Sequence, residues 1–149
     1  MILLEDAIRM NATPESIFAW LEHFPENYCA WHPDHVSCRY TSGNSMQVGS
    51  IVRCDEYLHG KLHTMALQLT HIRPLERVEY RMGRIGGGAF EVRPAAVGVD
   101  FVAQVWLGSR LPVLGAFLDS VVRLLFAGRL DMLRKHMAEE GRNLKQQLE

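Results

Sequence analysis

A histidine and a glutamate near the C-terminal end of the chain, His136 and Glu140, have the spacing of paired side chains on a helix. At about 100° per residue, positions four apart lie on one face, where their side chains converge. Apolar residues share that face, which is therefore expected to be buried. They are Leu118, Val122, Leu125, Phe126, Leu133, Met137 and Leu144. Because burial of an unpaired carboxylate costs several kcal/mol, we expect Glu140 to have His136 or a metal ion as its partner.

A hydrogen bond within the helix would satisfy this pair as well, so a metal site requires further ligands from another part of the chain. Two segments supply the same residue types. WHPDH contains His32 and His35, and CDEY contains Glu56. A set of two histidines and two carboxylates suits Zn²⁺, and the same ligands also suit Fe²⁺ and Mn²⁺.

The predicted strand register brings His35 next to Glu56. If the turn between their strands is centred near Ser45 and Met46, antiparallel pairing joins residues whose numbers add to about 91, which sets His35 opposite Glu56. Directly opposed residues share a face of the sheet, with Cβ atoms about 5 Å apart. A slip by one residue would exchange Glu56 for Asp55 and turn that side chain to the other face.

The elements that must position these residues follow from apolar periodicity and from turn residues. Residues 2–10 predict a first strand, and a short helix follows the cap Thr13 and Pro14. A second short helix is predicted from Pro25, ending at Pro33 because proline disfavours helical geometry in the preceding residue.

The middle of the chain has the alternation and turn residues of a meander of strands. The predicted strands are 36–41, 50–58, 61–72, 78–83 and two more within 86–109. Glycines 86–88 are interpreted as a flexible connection, and a helical pattern runs from Pro112 to the C-terminus. This order predicts an α+β fold in which a curved antiparallel sheet of about seven strands wraps around a long C-terminal helix, with two short helices between strands 1 and 2.

The composition limits the class of protein. With 149 residues, of which 48% are apolar and 22% charged, the chain is expected to form a single domain over residues 1–149. The net charge of −1 gives no electrostatic reason to expect nucleic acid, and no segment has the pattern of a signal peptide or a membrane span. Three cysteines without C-x-x-C spacing fit a reducing cytoplasm. We therefore expect a cytoplasmic protein that binds a small apolar ligand and could form a homodimer.

The segments ATPESIFAWL, FPENYCAWHP and the final NLKQQLE, in this order of elements, resemble the START-like or SRPBCC superfamily. This fold is also called helix-grip, birch-pollen-allergen-like or polyketide cyclase-like. The resemblance implies a deep apolar cavity between sheet and helix, used for lipids, polyketides and other hydrophobic ligands. A fold alone assigns no chemistry, so the function depends on the side chains in the cavity.

Three short motifs resemble the metal-ligand motifs of the 2,4-diacetylphloroglucinol hydrolase branch of that superfamily. They are WHPDH, the E-x-x-x-G of Glu56 to Gly60, and the H-x-x-x-E of His136 to Glu140. The resemblance implies a zinc ion held by His35 or His32 together with Glu56, His136 and Glu140. It also implies hydrolysis of a carbon–carbon bond between an acyl group and a phenolic ring.

Such a reaction requires a general acid, because a carbon leaving group must be protonated. The candidates are His32, Tyr28 and Tyr57. Two other functions fit the same fold. One is a metal-free carrier or binding protein for a hydrophobic ligand, with His136 and Glu140 joined only by a hydrogen bond, and the other is an enzyme like the polyketide cyclases and dehydratases.

Overall fold

The structure is a computed structural model that describes residues 1–108 and 112–149, and it does not describe the side chains of 112–116, 118, 119, 122, 123 and 125–127. Seven strands form one antiparallel sheet in the order β1-β7-β6-β5-β4-β3-β2. In chain order the elements are β1 (Ile2–Met10), α1 (Pro14–Glu22), α2 (Phe24–Trp31), β2 (His35–Ser42), β3 (Ile51–Leu58), β4 (Lys61–Arg73), β5 (Arg77–Met82), β6 (Gly86–Pro94), β7 (Val99–Leu107) and α3 (Pro112–Leu148). The predicted fold class is confirmed, with the sheet packed around the long helix α3.

The two short helices begin and end within one or two residues of the predicted positions. At the start of α1 the Thr13 hydroxyl accepts a hydrogen bond from the Ser16 N–H, and the Ser16 hydroxyl accepts one from the Thr13 N–H. This reciprocal pair satisfies two amides that the first turn leaves free. The following helix α2 ends at Trp31, two residues before Pro33. Both helices bury aromatic side chains, and Trp20 and Trp31 pack edge to face with ring centroids 5.0 Å apart.

Helix α3 contributes a buried stripe to the core, as predicted from its periodicity. Met137 and Leu144 are buried and Leu133 is partly buried. Four other members of the predicted stripe, Leu118, Val122, Leu125 and Phe126, lie outside the described side chains. The C-terminal half of the helix is fixed to α2, since the Trp31 indole N–H donates to the Glu140 carbonyl and the Asn143 amide donates to the Trp31 carbonyl, each at 2.9 Å. No helix among the described residues is long and apolar enough to cross a membrane.

The hairpin of β2 and β3 has the predicted register at the position that matters for the site. His35 pairs with Glu56, and a β-bulge at Val36 then shifts the pairing so that Ser37 lies opposite Asp55. The bulge turns Ser37 to the outer face, where its hydroxyl donates to the Asp55 carboxylate at 2.8 Å. Glu56 therefore points inward with His35, and Asp55 points outward.

The interpretation of glycines 86–88 as a flexible connection is wrong, because all three belong to β6. Neighbouring side chains occupy the space that a side chain would need there. A Cβ on Gly87 would lie 2.6 Å from the Trp106 indole nitrogen and 2.7 Å from the Tyr80 carbonyl oxygen. These glycines are therefore required by close packing within the sheet.

Replacing Gly87 with alanine should lower the free energy of unfolding by about 1–3 kcal/mol, because the new methyl group overpacks a site closed by backbone. The measurement is urea unfolding followed by circular dichroism. Gly128→Ala is the matched control, since nothing lies within 4 Å of a Cβ there and the helix gains propensity. Equal stability of the two variants would contradict the packing argument.

Candidate functional site

A partly open cavity of about 180 Å³ lies between the sheet and α3. Its wall is mostly apolar, with Phe24, Leu67, Met82, Phe90, Val105 and Met137 among the lining residues. One histidine and two glutamates, His136, Glu56 and Glu140, also line it. This combination of an apolar pocket with a few converging polar groups is typical of a site for a small organic ligand.

Four side-chain atoms from three elements converge on one point at the cavity. The Nε2 atoms of His35 and His136 are 3.3 Å apart. His35 Nε2 lies 3.3 Å from Glu56 Oε2 and 2.9 Å from Glu140 Oε1. His136 Nε2 lies 3.2 Å from the same Glu56 oxygen and 3.0 Å from the same Glu140 oxygen. These four side chains, which we call the His/Glu cluster, could hold a metal ion.

The backbone of α2 fixes the orientation of His35. The Nδ1 atom of this histidine lies 2.7 Å from the Tyr28 carbonyl oxygen. A carbonyl oxygen only accepts hydrogen bonds, so Nδ1 must carry the hydrogen and Nε2 faces the cluster. The His35 ring also stacks on the Tyr28 ring with centroids 3.9 Å apart. Metal-binding histidines commonly have such an outer hydrogen bond, because it sets the ring orientation and increases ligand basicity.

The charges in the His/Glu cluster shift the pKa values of His35, His136 and Glu56. Burial would lower the pKa of His35, but hydrogen bonds to Glu140 and Glu56 raise it to about 9. The same competition raises the pKa of His136 to about 10. Burial would raise the pKa of Glu56, but His136 and His35 lower it to about 2. The two carboxylates therefore favour the protonated, positively charged form of the two histidines.

The structure separates the three candidates for the general acid. The Tyr28 hydroxyl lies inside and donates to Glu56 Oε2 at 3.3 Å, and burial together with the Glu56 charge raises its pKa. His32 is buried beside His136, with ring centroids 4.2 Å apart. Tyr57 follows Glu56 on β3, points to the opposite face and is 46% exposed. The structure thus brings Tyr28 and His32 to the cluster and places Tyr57 outside it.

Both ring nitrogens of His32 have partners. Its Nδ1 accepts from the Asp34 N–H at 3.0 Å, so the hydrogen is on Nε2, which lies 2.8 Å from Glu139 Oε2. His32, His35 and His136 together form a second group close enough to hold an ion. However, His32 would have to give up one of these two hydrogen bonds to become a ligand, whereas His35 presents Nε2 directly to the cluster.

Sequence reasoning missed three features near the site. Glu139 pairs with His32. Its position next to Glu140 on α3 is the one feature of the sequence that could have indicated a place near the site. Cys38 and Cys54 are directly opposed, with sulfur atoms 3.4 Å apart, and the strand register could have predicted this pair. Tyr80 of β5 reaches the cavity from a distant part of the sheet, and no local pattern marks it.

The sequence of residues 1–140 matches the model of a family described as polyketide cyclase / dehydrase and lipid transport. The chain belongs to this family. The predicted membership of the START-like superfamily is thereby confirmed, and the family's description fits a cavity that takes small hydrophobic molecules. No curated protein matches the sequence.

Solved structures with the same fold come from distant organisms. TTHA0849 from Thermus thermophilus is 12% identical, with coverage of 99% of this chain and 97% of that chain and a TM-score of 0.71. Major latex-like protein 151 from Panax ginseng is also 12% identical, with the same coverage and a TM-score of 0.68. A START superfamily protein from Mycobacterium smegmatis is 17% identical over 95% of this chain and 98% of that chain, with a TM-score of 0.61. At these identities the likeness shows that this family member shares their fold.

Proposed function

We propose that this protein is a divalent-metal-dependent hydrolase, with zinc as the favoured metal, that acts on a small acylphenol or polyketide-like substrate in its cavity. The metal ligands in this proposal are His35, Glu56, His136 and Glu140. The proposal rests on one observation, which is the spacing of their four converging atoms.

That spacing matches what a metal ion requires. Zinc binds nitrogen and carboxylate oxygen at about 2.0–2.2 Å, so the donor atoms of a tetrahedral site lie about 3.3 Å from one another. Five separations in the His/Glu cluster fall between 2.9 and 3.3 Å. The two carboxylates would balance the charge of a divalent cation, and the ligand types suit zinc.

A bound zinc ion would supply a water of lowered pKa and would polarise a carbonyl group. The protein itself contributes burial and proton donors. His32 holds a hydrogen on Nε2, and the Tyr28 hydroxyl stays protonated because of its burial. The Tyr28 hydroxyl, which lines the cavity, could protonate a carbon leaving group, whereas the His32 Nε2–H donates to Glu139 on the outer side and would first have to give up that bond.

Metal analysis of protein purified without a nickel column tests this proposal. We expect about one equivalent of zinc per chain, and we expect hydrolysis within a panel of acylphenols and β-diketones that stops in chelator and returns with zinc. The readouts are elemental analysis and chromatographic detection of the released acid. Protein that contains no metal, and whose thermal stability does not change in chelator, would exclude the metal site.

One observation supports a second candidate, a metal-free carrier of a hydrophobic ligand. The histidines and carboxylates of the His/Glu cluster already satisfy one another by hydrogen bonds and ion pairs. A carrier would bind an apolar ligand equally well with and without chelator and would release it unchanged. Ligand binding in the presence of chelator, followed by recovery of the ligand, separates this candidate from the hydrolase.

A further inference from the structure

Tyr80, on β5, is a buried tyrosine whose hydroxyl has no hydrogen-bond partner among the residues that the structure describes. The residue is only 8% exposed, and its ring packs on Phe90 with centroids 5.8 Å apart. Buried polar groups nearly always have a partner, because leaving one unpaired loses the hydrogen bonds that water would supply. We therefore expect the partner of this hydroxyl to be a molecule bound in the cavity.

Gly88 determines where the hydroxyl lies. A Cβ on Gly88 would collide with the Tyr80 hydroxyl oxygen and would lie 2.5 Å from the carbonyl oxygen of Gln104. The hydroxyl thus occupies the space that the glycine leaves free, on the side of Gln104. Gly88 pairs with Val105, which lines the main cavity and does not line the smaller neighbouring cavity of about 30 Å³, whereas the Gln104 side chain bonds Glu5 and Arg77 instead. The hydroxyl end of Tyr80 consequently faces the main cavity.

The hydroxyl faces the cavity as a hydrogen-bond donor. Burial raises the pKa of Tyr80, and the nearby charges of Glu140 and Glu56 act in the same direction. A protonated phenol in this position is suited to an oxygen acceptor, such as a carbonyl or a phenolic oxygen. The cavity thus has two polar features, the His/Glu cluster and the Tyr80 hydroxyl, joined by apolar walls.

The volume of the cavity suits a small ligand that reaches both features. An engineered apolar cavity of about 150 Å³ holds one benzene molecule, and this cavity of about 180 Å³ is only slightly larger. We propose that Tyr80 is a specificity-determining residue whose hydroxyl donates a hydrogen bond to an oxygen on a single-ring ligand. The position of that ligand, with its other end at the His/Glu cluster, rests on the proposed function, but the hydrogen bond itself does not require the metal.

Two probes that differ by one hydroxyl group test this role. Zinc-loaded full-length protein is titrated with 4′-hydroxyacetophenone and with acetophenone, and the two Kd values are compared. We expect the wild-type protein to prefer the hydroxylated probe by about tenfold, and Tyr80→Phe to reduce that preference below about twofold. The affinity for acetophenone should stay unchanged, because the ring of the side chain is retained.

Two further variants sharpen the comparison. Gly88→Ala displaces the hydroxyl and should reduce the preference as Tyr80→Phe does. Tyr40→Phe is the matched control, since Tyr40 lines only the smaller cavity and its loss should leave the preference at about tenfold.

The outcomes separate this inference from the proposed metal site when the titrations are repeated in chelator and the zinc content is measured. An unchanged preference in Tyr80→Phe overturns the inference, because the hydroxyl is then satisfied by water alone. Failure of the wild-type protein to bind either probe also overturns it. If the wild-type protein binds no zinc but Tyr80→Phe still reduces the preference, the inference is supported and only the metal site fails.

Discussion

Replacing His136 with alanine should weaken zinc binding by at least about 100-fold. Loss of an outer partner of a metal ligand already costs about 10- to 100-fold in affinity, and His136 contributes one of the four converging atoms directly. The measurement is competition for zinc with a chromophoric chelator, with circular dichroism to verify that the variant is folded. His71→Ala is the control, because His71 is exposed on β4 and should leave zinc affinity unchanged.

Two neighbouring glutamates on α3 allow a more closely matched comparison of zinc affinity. Glu140→Gln removes a carboxylate from the His/Glu cluster, whereas Glu139→Gln removes one that contacts His32 and Lys135 outside it. We expect zinc affinity to fall in the first variant and to be retained in the second. Equal zinc affinity in the two variants would contradict the assignment of the ligands.

The thermal stability of the metal-free protein should decrease as the pH rises from about 6.5 towards 10. The ordinary pKa of histidine is 6.5, and contacts with the carboxylates raise the pKa of His35 to about 9 and of His136 to about 10. Groups with a raised pKa stabilise the folded state fully below 6.5, and this contribution disappears as the pH passes through the raised values. Its size is on the order of a few kcal/mol.

At acidic pH the stability of the folded state changes in the opposite direction and decreases as the pH falls. The pKa of Glu56 is lowered from 4.5 to about 2, so its contribution to stability is present above 4.5 and is lost as the pH falls towards 2.

Zinc-loaded protein should behave differently above neutrality, because zinc binds deprotonated histidine and its affinity rises with pH. Differential scanning calorimetry with zinc and with chelator should give melting temperatures that diverge between pH 6 and 9. Parallel profiles would contradict the metal site.

The fold and the approach of His35 to Glu56 could be predicted because both depend on local patterns. The turn near Ser45 and Met46 sets the pairing of two adjacent strands, and the period of a helix sets the relation of His136 to Glu140. The outward position of Tyr57 also follows from strand alternation, since it is the neighbour of the inward Glu56. Each of these relations is determined within a short stretch of the chain.

The remaining features depend on contacts between distant elements. The choice between His32 and His35 depends on hydrogen bonds to Asp34, Glu139 and the Tyr28 carbonyl, which no spacing encodes. Glycines 86–88 have the composition of a loop, but their role depends on side chains from the adjacent strands, such as Tyr80 on β5. A sequence pattern cannot distinguish a glycine needed for flexibility from one needed for lack of space.

The bulge at Val36 has a consequence for how new specificities could arise in this protein. It gives His35 and Glu56 a pairing of their own, offset by one residue from that of Ser37 to Tyr40, and a second shift follows between Tyr40 and Ser42. The turn between β2 and β3, residues 43–50, is therefore separated from the inner end of the hairpin by an irregularity that can absorb changes in length. Loop exchange at this turn offers a route to change the wall of the smaller cavity, which Met46 of the turn lines, without moving the two strand-borne members of the His/Glu cluster.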